Sequence, residues 1–147
     1  MSKVYRHVIL GSDEYLGKVE PDGKVFDGRF DPERFIGYAD LETGQIYDSR
    51  LGNVKVIGRV DQESGKVFYL NQKDKDYIGK IEESGKCYWH KKLVPDVYMG
   101  KVEEMISYAH GGAAFLLLIL PLIEEARAEK EPKEGLADDL GTAPEQA

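Results

Sequence analysis

A glycine recurs inside an apolar strand pattern at Gly17, Gly37, Gly58, Gly79 and Gly100, at spacings of 20, 21, 21 and 21 residues. A fixed period of this length marks a repeat architecture, in which one supersecondary unit is copied along the chain. The unit is clearest at residues 77–88: an alternating strand, a Ser84-Gly85 turn and a second strand, which together read as a β-hairpin. Each glycine follows an apolar pair, namely Tyr15-Leu16, Phe35-Ile36, Val56-Ile57, Tyr77-Ile78 and Tyr98-Met99. Two residues after it come Val19, Ala39, Val60, Ile81 and Val102, each followed by Glu or Asp.

The second strand of the unit begins Lys24-Val25-Phe26, Gln45-Ile46-Tyr47, Lys66-Val67-Phe68 and Lys86-Cys87-Tyr88. The same signature stands alone near the start, at Lys3-Val4-Tyr5. Five copies of each strand are therefore present, but only four are joined as hairpins. The offset predicts a closed ring, in which Lys3-Val4-Tyr5 pairs with the strand around Gly100 and the fifth hairpin is assembled from two distant segments. Closure removes the free edges that an open array would expose. The fold class expected is all-β: a shallow closed barrel of ten strands over residues 1–104, with one apolar C-terminal helix.

The turns agree with this. Pro21-Asp22-Gly23, Leu41-Glu42-Thr43-Gly44, Gln62-Glu63-Ser64-Gly65 and Glu83-Ser84-Gly85 all end in glycine, as a hairpin loop with a left-handed last residue requires. Glu20 with Lys24, Asp61 with Lys66 and Glu82 with Lys86 bracket three of them, and are expected to pair across the strands. Closure would bring Glu103 to Lys3 in the same way.

Strict alternation puts the aromatic, the glycine and the Val/Ile/Ala of the first strand on one face, and the aliphatic before the glycine on the other. The glycine is expected to let a neighbouring aromatic ring lie over the backbone. The second strand is apolar on both faces, so the sheet needs cover on both sides or a lumen to enclose. The joins between hairpins are eight or nine residues long and vary most, which makes them the expected contact surface for a partner.

The repeat ends after Glu104. Residues 105–123 close on a run that is apolar all round and includes Phe115, Leu116, Leu117, Leu118, Ile119 and Leu120. Such a helix is either buried on every side or in a membrane. At roughly 28 Å it is marginal as a span, and Gly111-Gly112 suits a hinge or a close-packed helix face. Three destinations stand open: a plug in the barrel, a membrane anchor, or a helix that binds a partner. A polar helical extension is expected to residue 130, followed over 131–147 by a disordered acidic tail. From Glu124 onward eight Asp/Glu face three Lys/Arg, five of the net seven negative charges.

The unit, aromatic-aliphatic-Gly-Lys-Val-Glu, then Ser-Gly, then Lys-Val-Phe, resembles the β-flower repeat proteins over residues 3–104. That resemblance implies hairpins closed into a shallow symmetric barrel with an apolar lumen, and supplies no active-site residues. Such barrels look like a short version of the Tubby-type barrel, in which an apolar helix runs through the middle and the outside meets phosphoinositides. No polybasic phosphoinositide pocket is recognisable in this sequence. A weaker similarity is to MORN repeats, whose arrays are open and whose second half, with extra glycines, is missing here.

The net charge of −7 argues against nucleic acid as a partner, because affinity there comes from neutralising phosphates. A single cysteine, Cys87, excludes an intrachain disulfide and a cysteine metal site, and its slot marks it as a small core residue. His7, His90 and His110 occupy unrelated places in the repeat and read as surface or loop residues. No nucleophile constellation and no phosphate-binding loop is present. The acids Glu20, Asp40, Asp61, Glu82 and Glu103 would form a ring at one level, a candidate cation site. Lys18, Arg59, Lys80 and Lys101 beside them favour neutralised ion-pair ladders instead. Residues 1–10 lack the apolar core of a signal peptide, which implies a cytoplasmic chain. The expectation is a non-enzyme with no catalytic residues, metal or cofactor. It would be a scaffold or binding module whose lumen holds a lipid or another apolar group, at a membrane if the helix enters one. The alternative is a protein-interaction module whose own helix plugs the barrel.

Overall fold

The computed structural model describes residues 1–69, 77–91 and 93–122. The polar helical extension and acidic tail expected beyond residue 122, and the whole of the fourth join (70–76), lie outside the described residues.

Ten strands form one closed antiparallel barrel: β1 (Ser2–Arg6), β2 (Glu14–Val19), β3 (Lys24–Asp27), β4 (Arg34–Ala39), β5 (Gln45–Asp48), β6 (Lys55–Val60), β7 (Lys66–Tyr69), β8 (Tyr77–Ile81), β9 (Lys86–Trp89) and β10 (Val97–Val102). Every strand pairs with its sequence neighbours, and β1 closes the ring against β10 with Val4 opposite Val102. The expected fold class is therefore what the chain adopts. Because the strands run up and down, the four hairpin turns lie on one rim and the described joins between hairpins on the other.

Closure without a covalent turn is visible at the fifth hairpin. Glu103 N–H donates to Lys3 O at 2.8 Å, as Glu20 does to Lys24 and Glu82 to Lys86 in the covalent hairpins. Ser2 stands where those hairpins have their turn glycine. It is fully buried, and its hydroxyl donates to Glu104 O at 2.9 Å. In the four covalent turns Gly23, Gly44, Gly65 and Gly85 all have positive φ, between 80° and 96°.

Alternation does not hold through the first strand of the unit. The register shifts once in each pair across a join, between Val4 and Tyr5, Val25 and Phe26, Ile46 and Tyr47, Val67 and Phe68, and Tyr98 and Gly100. The residue skipped each time is the aliphatic before the repeat glycine, so that residue and the glycine form a β-bulge. The bulge turns Leu16, Ile36 and Ile78 into the barrel, where they are at most 4 % exposed, and turns the preceding aromatic outward. Tyr15, Phe35, Tyr77 and Tyr98 then meet the aromatics of the neighbouring strand, with ring centroids 5.6–5.8 Å apart. In the third unit Val56 replaces the aromatic, and Tyr47 stacks on Tyr38 instead at 4.8 Å.

After β10 the chain turns back at Ser107 and enters the barrel as α1 (Tyr108–Ala114), a π-helical turn (Phe115–Ile119) and a last helical stretch to residue 122. Every residue from 109 to 120 is buried. Together with the inward Val, Ile, Ala and Cys of the strands they form one hydrophobic core.

Candidate functional site

The lumen is the feature on which any function of the barrel turns, and small residues face large ones within it. At the turn-rim level the strands offer branched side chains and the helix offers glycine. A Cβ on Gly111 would lie 2.9 Å from Ile81 Cγ2, and one on Gly112 would lie 2.7 Å from Val60 Cβ. Deeper in, the roles reverse. Cβ atoms on Gly17, Gly37, Gly58 and Gly79 would lie 2.8–3.1 Å from Leu118, Leu117, Leu116 and Phe115 respectively. Each would also collide with a carbonyl oxygen of the adjacent strand, as would one on Gly100 with Tyr5 O. The strand glycines thus make room for neighbouring backbone and, at four of five, for the helix. Only at Gly79 is the covering group an aromatic ring.

The order of these contacts is regular. Stepping one residue down the helix from Leu118 to Phe115 moves one hairpin round the barrel, from the first unit to the fourth. Five units in a ring stand about 72° apart, whereas an α-helix turns about 100° per residue. The π-helical turn, closed by Leu120 N–H donating to Phe115 O, carries more residues per turn than an α-helix and narrows the mismatch. The local winding of the helix therefore follows the symmetry of its container.

Polar groups hold the plug at both rims. At the turn rim, Ser107 caps α1 and His110 is buried at 2 % exposure. His110 Nε2 lies 2.9 Å from Pro21 O and Nδ1 lies 2.7 Å from Ser107 Oγ. A carbonyl only accepts, so Nε2 carries a proton toward Pro21 O; a neutral imidazole in this tautomer accepts from the serine hydroxyl at Nδ1. His110 is thus an interior latch rather than the surface residue expected. At the other rim Arg50 Nη1 donates to Leu117 O at 3.4 Å, while its Nη2 pairs with Asp48 at 3.2 Å. Asp27, 2 % exposed, makes the equivalent pair with Arg29 at 2.9 Å. Burial works against ionisation of Asp27, but the Arg29 hydrogen bonds outweigh it and hold its carboxyl below the usual range.

The carboxylate ring does not assemble as a cation site. Asp40 accepts from Glu42 N–H and Thr43 N–H, and Asp61 from Glu63 N–H. These turn hydrogen bonds lower both pKa values. The expected cross-strand ion pairs are replaced by pairs two residues apart in sequence: Lys18 lies 3.8 Å from Glu20, and Lys101 lies 3.7 Å from Glu103. Among the described residues, no ion pair joins Glu20 to Lys24, Asp61 to Lys66, Glu82 to Lys86 or Lys3 to Glu103. Basic groups instead lie over the outer aromatics, Arg59 over Phe68 at 4.4 Å and Lys18 over Phe26 at 5.2 Å. Among the described residues there is also no cluster of three or more metal-ligating side chains.

Two further places carry chemistry. Cys87 is fully buried, and burial pushes its thiol well above the usual range. On the outside of the first hairpin an open groove of about 640 Å³ is lined by Tyr15, Lys18, Phe26 and Glu33 among others. Burial and the hydrogen bond it donates to Glu33 at 2.8 Å push the Tyr15 hydroxyl up to about 12.

Among the described residues, no helix is long and apolar enough to cross a membrane. Comparison with protein-family models, with curated proteins and with solved structures returned no match.

Proposed function

We propose that this chain is a non-enzymatic interaction module: a repeat barrel whose lumen is filled by its own helix and whose outer surface and rims meet a partner. One observation carries the reading, the burial of residues 109–120 among the inward strand residues. An apolar ligand in the lumen would have to displace Phe115, Leu116 and Leu117, each at most 3 % exposed. A large apolar surface would be opened to water in doing so. Cys87 and His110 are enclosed and already partnered or inert, which supports a role in packing rather than in chemistry. We also propose kinship with the β-flower repeat barrels, supported by five bulged hairpins closed about an axial helix.

Titration of the full-length chain with a hydrophobic dye and with a long-chain fatty acid tests the reading. Neither should bind at stoichiometric levels under native conditions. Saturable one-to-one binding of either would make the lumen a ligand site and overturn the proposal.

A further inference from the structure

Counting seven residues back from each repeat glycine reaches Leu10, Phe30, Leu51, Gln72 and Leu93. Leu10, Phe30, Leu51 and Leu93 fall in joins on the rim opposite the hairpin turns. Gln72 lies outside the described residues. The other four are exposed: Leu10 at 103 %, Leu93 at 102 %, Leu51 at 85 % and Phe30 at 46 %. Ile9, Val54 and Val94 beside them are exposed as well. One rim therefore carries a crown of large apolar side chains at one position of the repeat.

The backbone is strained to hold two of them. Leu10 has φ 62° and Leu93 φ 67°, a region that leucine rarely enters. Strain kept for a side chain that stands fully exposed among the described residues points to a partner.

Charge is uneven around this rim and singles out one side of it. Base exceeds acid at and beside the third join (Arg50 and Lys55 against Asp48) and the fifth (Lys91 and Lys92 against Asp96), whereas acid exceeds base at the first (Arg6 against Asp13 and Glu14) and the second (Arg29 and Arg34 against Asp27, Asp31 and Glu33). Lys55 and Lys91 are exposed, and Lys91 lies 5.3 Å from the ring centroid of Trp89 at the same rim. Apolar tips beside lysines are the composition of a surface that sits among anionic lipid headgroups. A protein partner is met by a contiguous patch or pocket that buries a central anchor. Separate tips spaced around a rim suit a fluid surface that can close around each one.

We propose that the join rim docks on an anionic bilayer surface. Leu10, Leu51 and Leu93 enter the boundary between headgroups and acyl chains, and Lys55 and Lys91 meet the headgroups. The proposal rests on the reading of the barrel as a binding module and names the partner of one of its rims. It needs no spanning helix.

The test is co-sedimentation of the full-length chain with vesicles of phosphatidylcholine, with and without phosphatidylserine. Binding to the anionic vesicles is expected, weakening as salt is raised. The variant combining Leu10→Asn, Leu51→Asn and Leu93→Asn should bind about tenfold more weakly or worse. Its unchanged melting temperature would show that the fold is intact. Lys55→Glu with Lys91→Glu should weaken binding and flatten its salt dependence. Wild-type protein that stays in the supernatant, or a triple variant that binds as well as wild type, overturns the proposal. So does a rim that controls self-association without vesicle binding, which would assign it to a second copy of the chain. Failure here leaves the exclusion of dye and fatty acid untouched, whereas their entry into the lumen overturns the module reading whatever the vesicles do.

Discussion

The two rims of this barrel are made from the same repeated unit and end in opposite conditions. At the turn rim, four glycines of positive φ each accept a hydrogen bond from the next hairpin, as when Ala39 N–H donates to Gly23 O at 2.9 Å. Ser2 and Glu104 complete the fifth place, and His110 ties the plug to the turn at Pro21. At the join rim, leucines stand in water on strained backbone. The first rim is committed to closing the ring and seating the helix, so every covalent turn keeps its last glycine, with an acid before the turn and Lys or Gln after it. The second is bound only by the need to connect two strands, so it is free to carry surface chemistry.

That contrast can be broken or sharpened by substitution. The largest effect belongs to the lumen between the rims. Gly37→Val would drive a branched side chain into both Tyr47 O and Leu117. It should cost more than about 3 kcal/mol, enough to unfold a marginal domain, read by urea denaturation. Leu117→Ala leaves a cavity at the same contact and should cost about 3 kcal/mol in the same measurement. At the turn rim, His110→Ala removes the latch and leaves Pro21 O and the Ser107 hydroxyl without it. The expected loss is about 1–2 kcal/mol, with faster amide exchange in α1 than in the strands. A smaller effect at both rims appears in acid. Asp27, Asp40 and Asp61 have folded pKa values held below their unfolded ones. The unfolded state therefore binds more protons as pH falls. Their stabilisation is complete above about pH 4 and fades as pH drops through the folded values. Asp40→Asn with Asp61→Asn should flatten the fall of melting temperature with pH in that window. The smallest effect belongs to the join rim. Leu10→Asn and Leu93→Asn place a residue that tolerates left-handed backbone, and stability should change by less than about 0.5 kcal/mol.

The ring was legible in the sequence because its signals are local and repeated. Glycines at a fixed period, turns ending in glycine and an orphan Lys3-Val4-Tyr5 leave few other ways to satisfy every strand. The inward face was misread because a period of two cannot register a bulge. The extra residue at Leu16 reverses every assignment before it in the strand, and the cue was the invariant aliphatic-glycine pair. The helix was readable as buried or membrane-bound, but its destination depends on fit. The complement of Gly111-Gly112 to Ile81 and Val60, and of the strand glycines to residues 115–118, exists only once both are folded. His110 was missed for the same reason, since its partner Pro21 is 89 residues away. The apolar crown was present in the sequence as a second series seven residues before the glycines. Unequal joins hid it, because a residue's exposure is set by loop shape rather than by period.

The central claim is that the helix threads the lumen one residue per hairpin. The most direct measurement is a set of nuclear Overhauser contacts between glycine Hα protons and helix side chains in the full-length protein. Contacts of Gly17 with Leu118, Gly37 with Leu117, Gly58 with Leu116 and Gly79 with Phe115 are expected, in that order. Glycine Hα protons that instead meet solvent, or an added apolar ligand, would contradict the account.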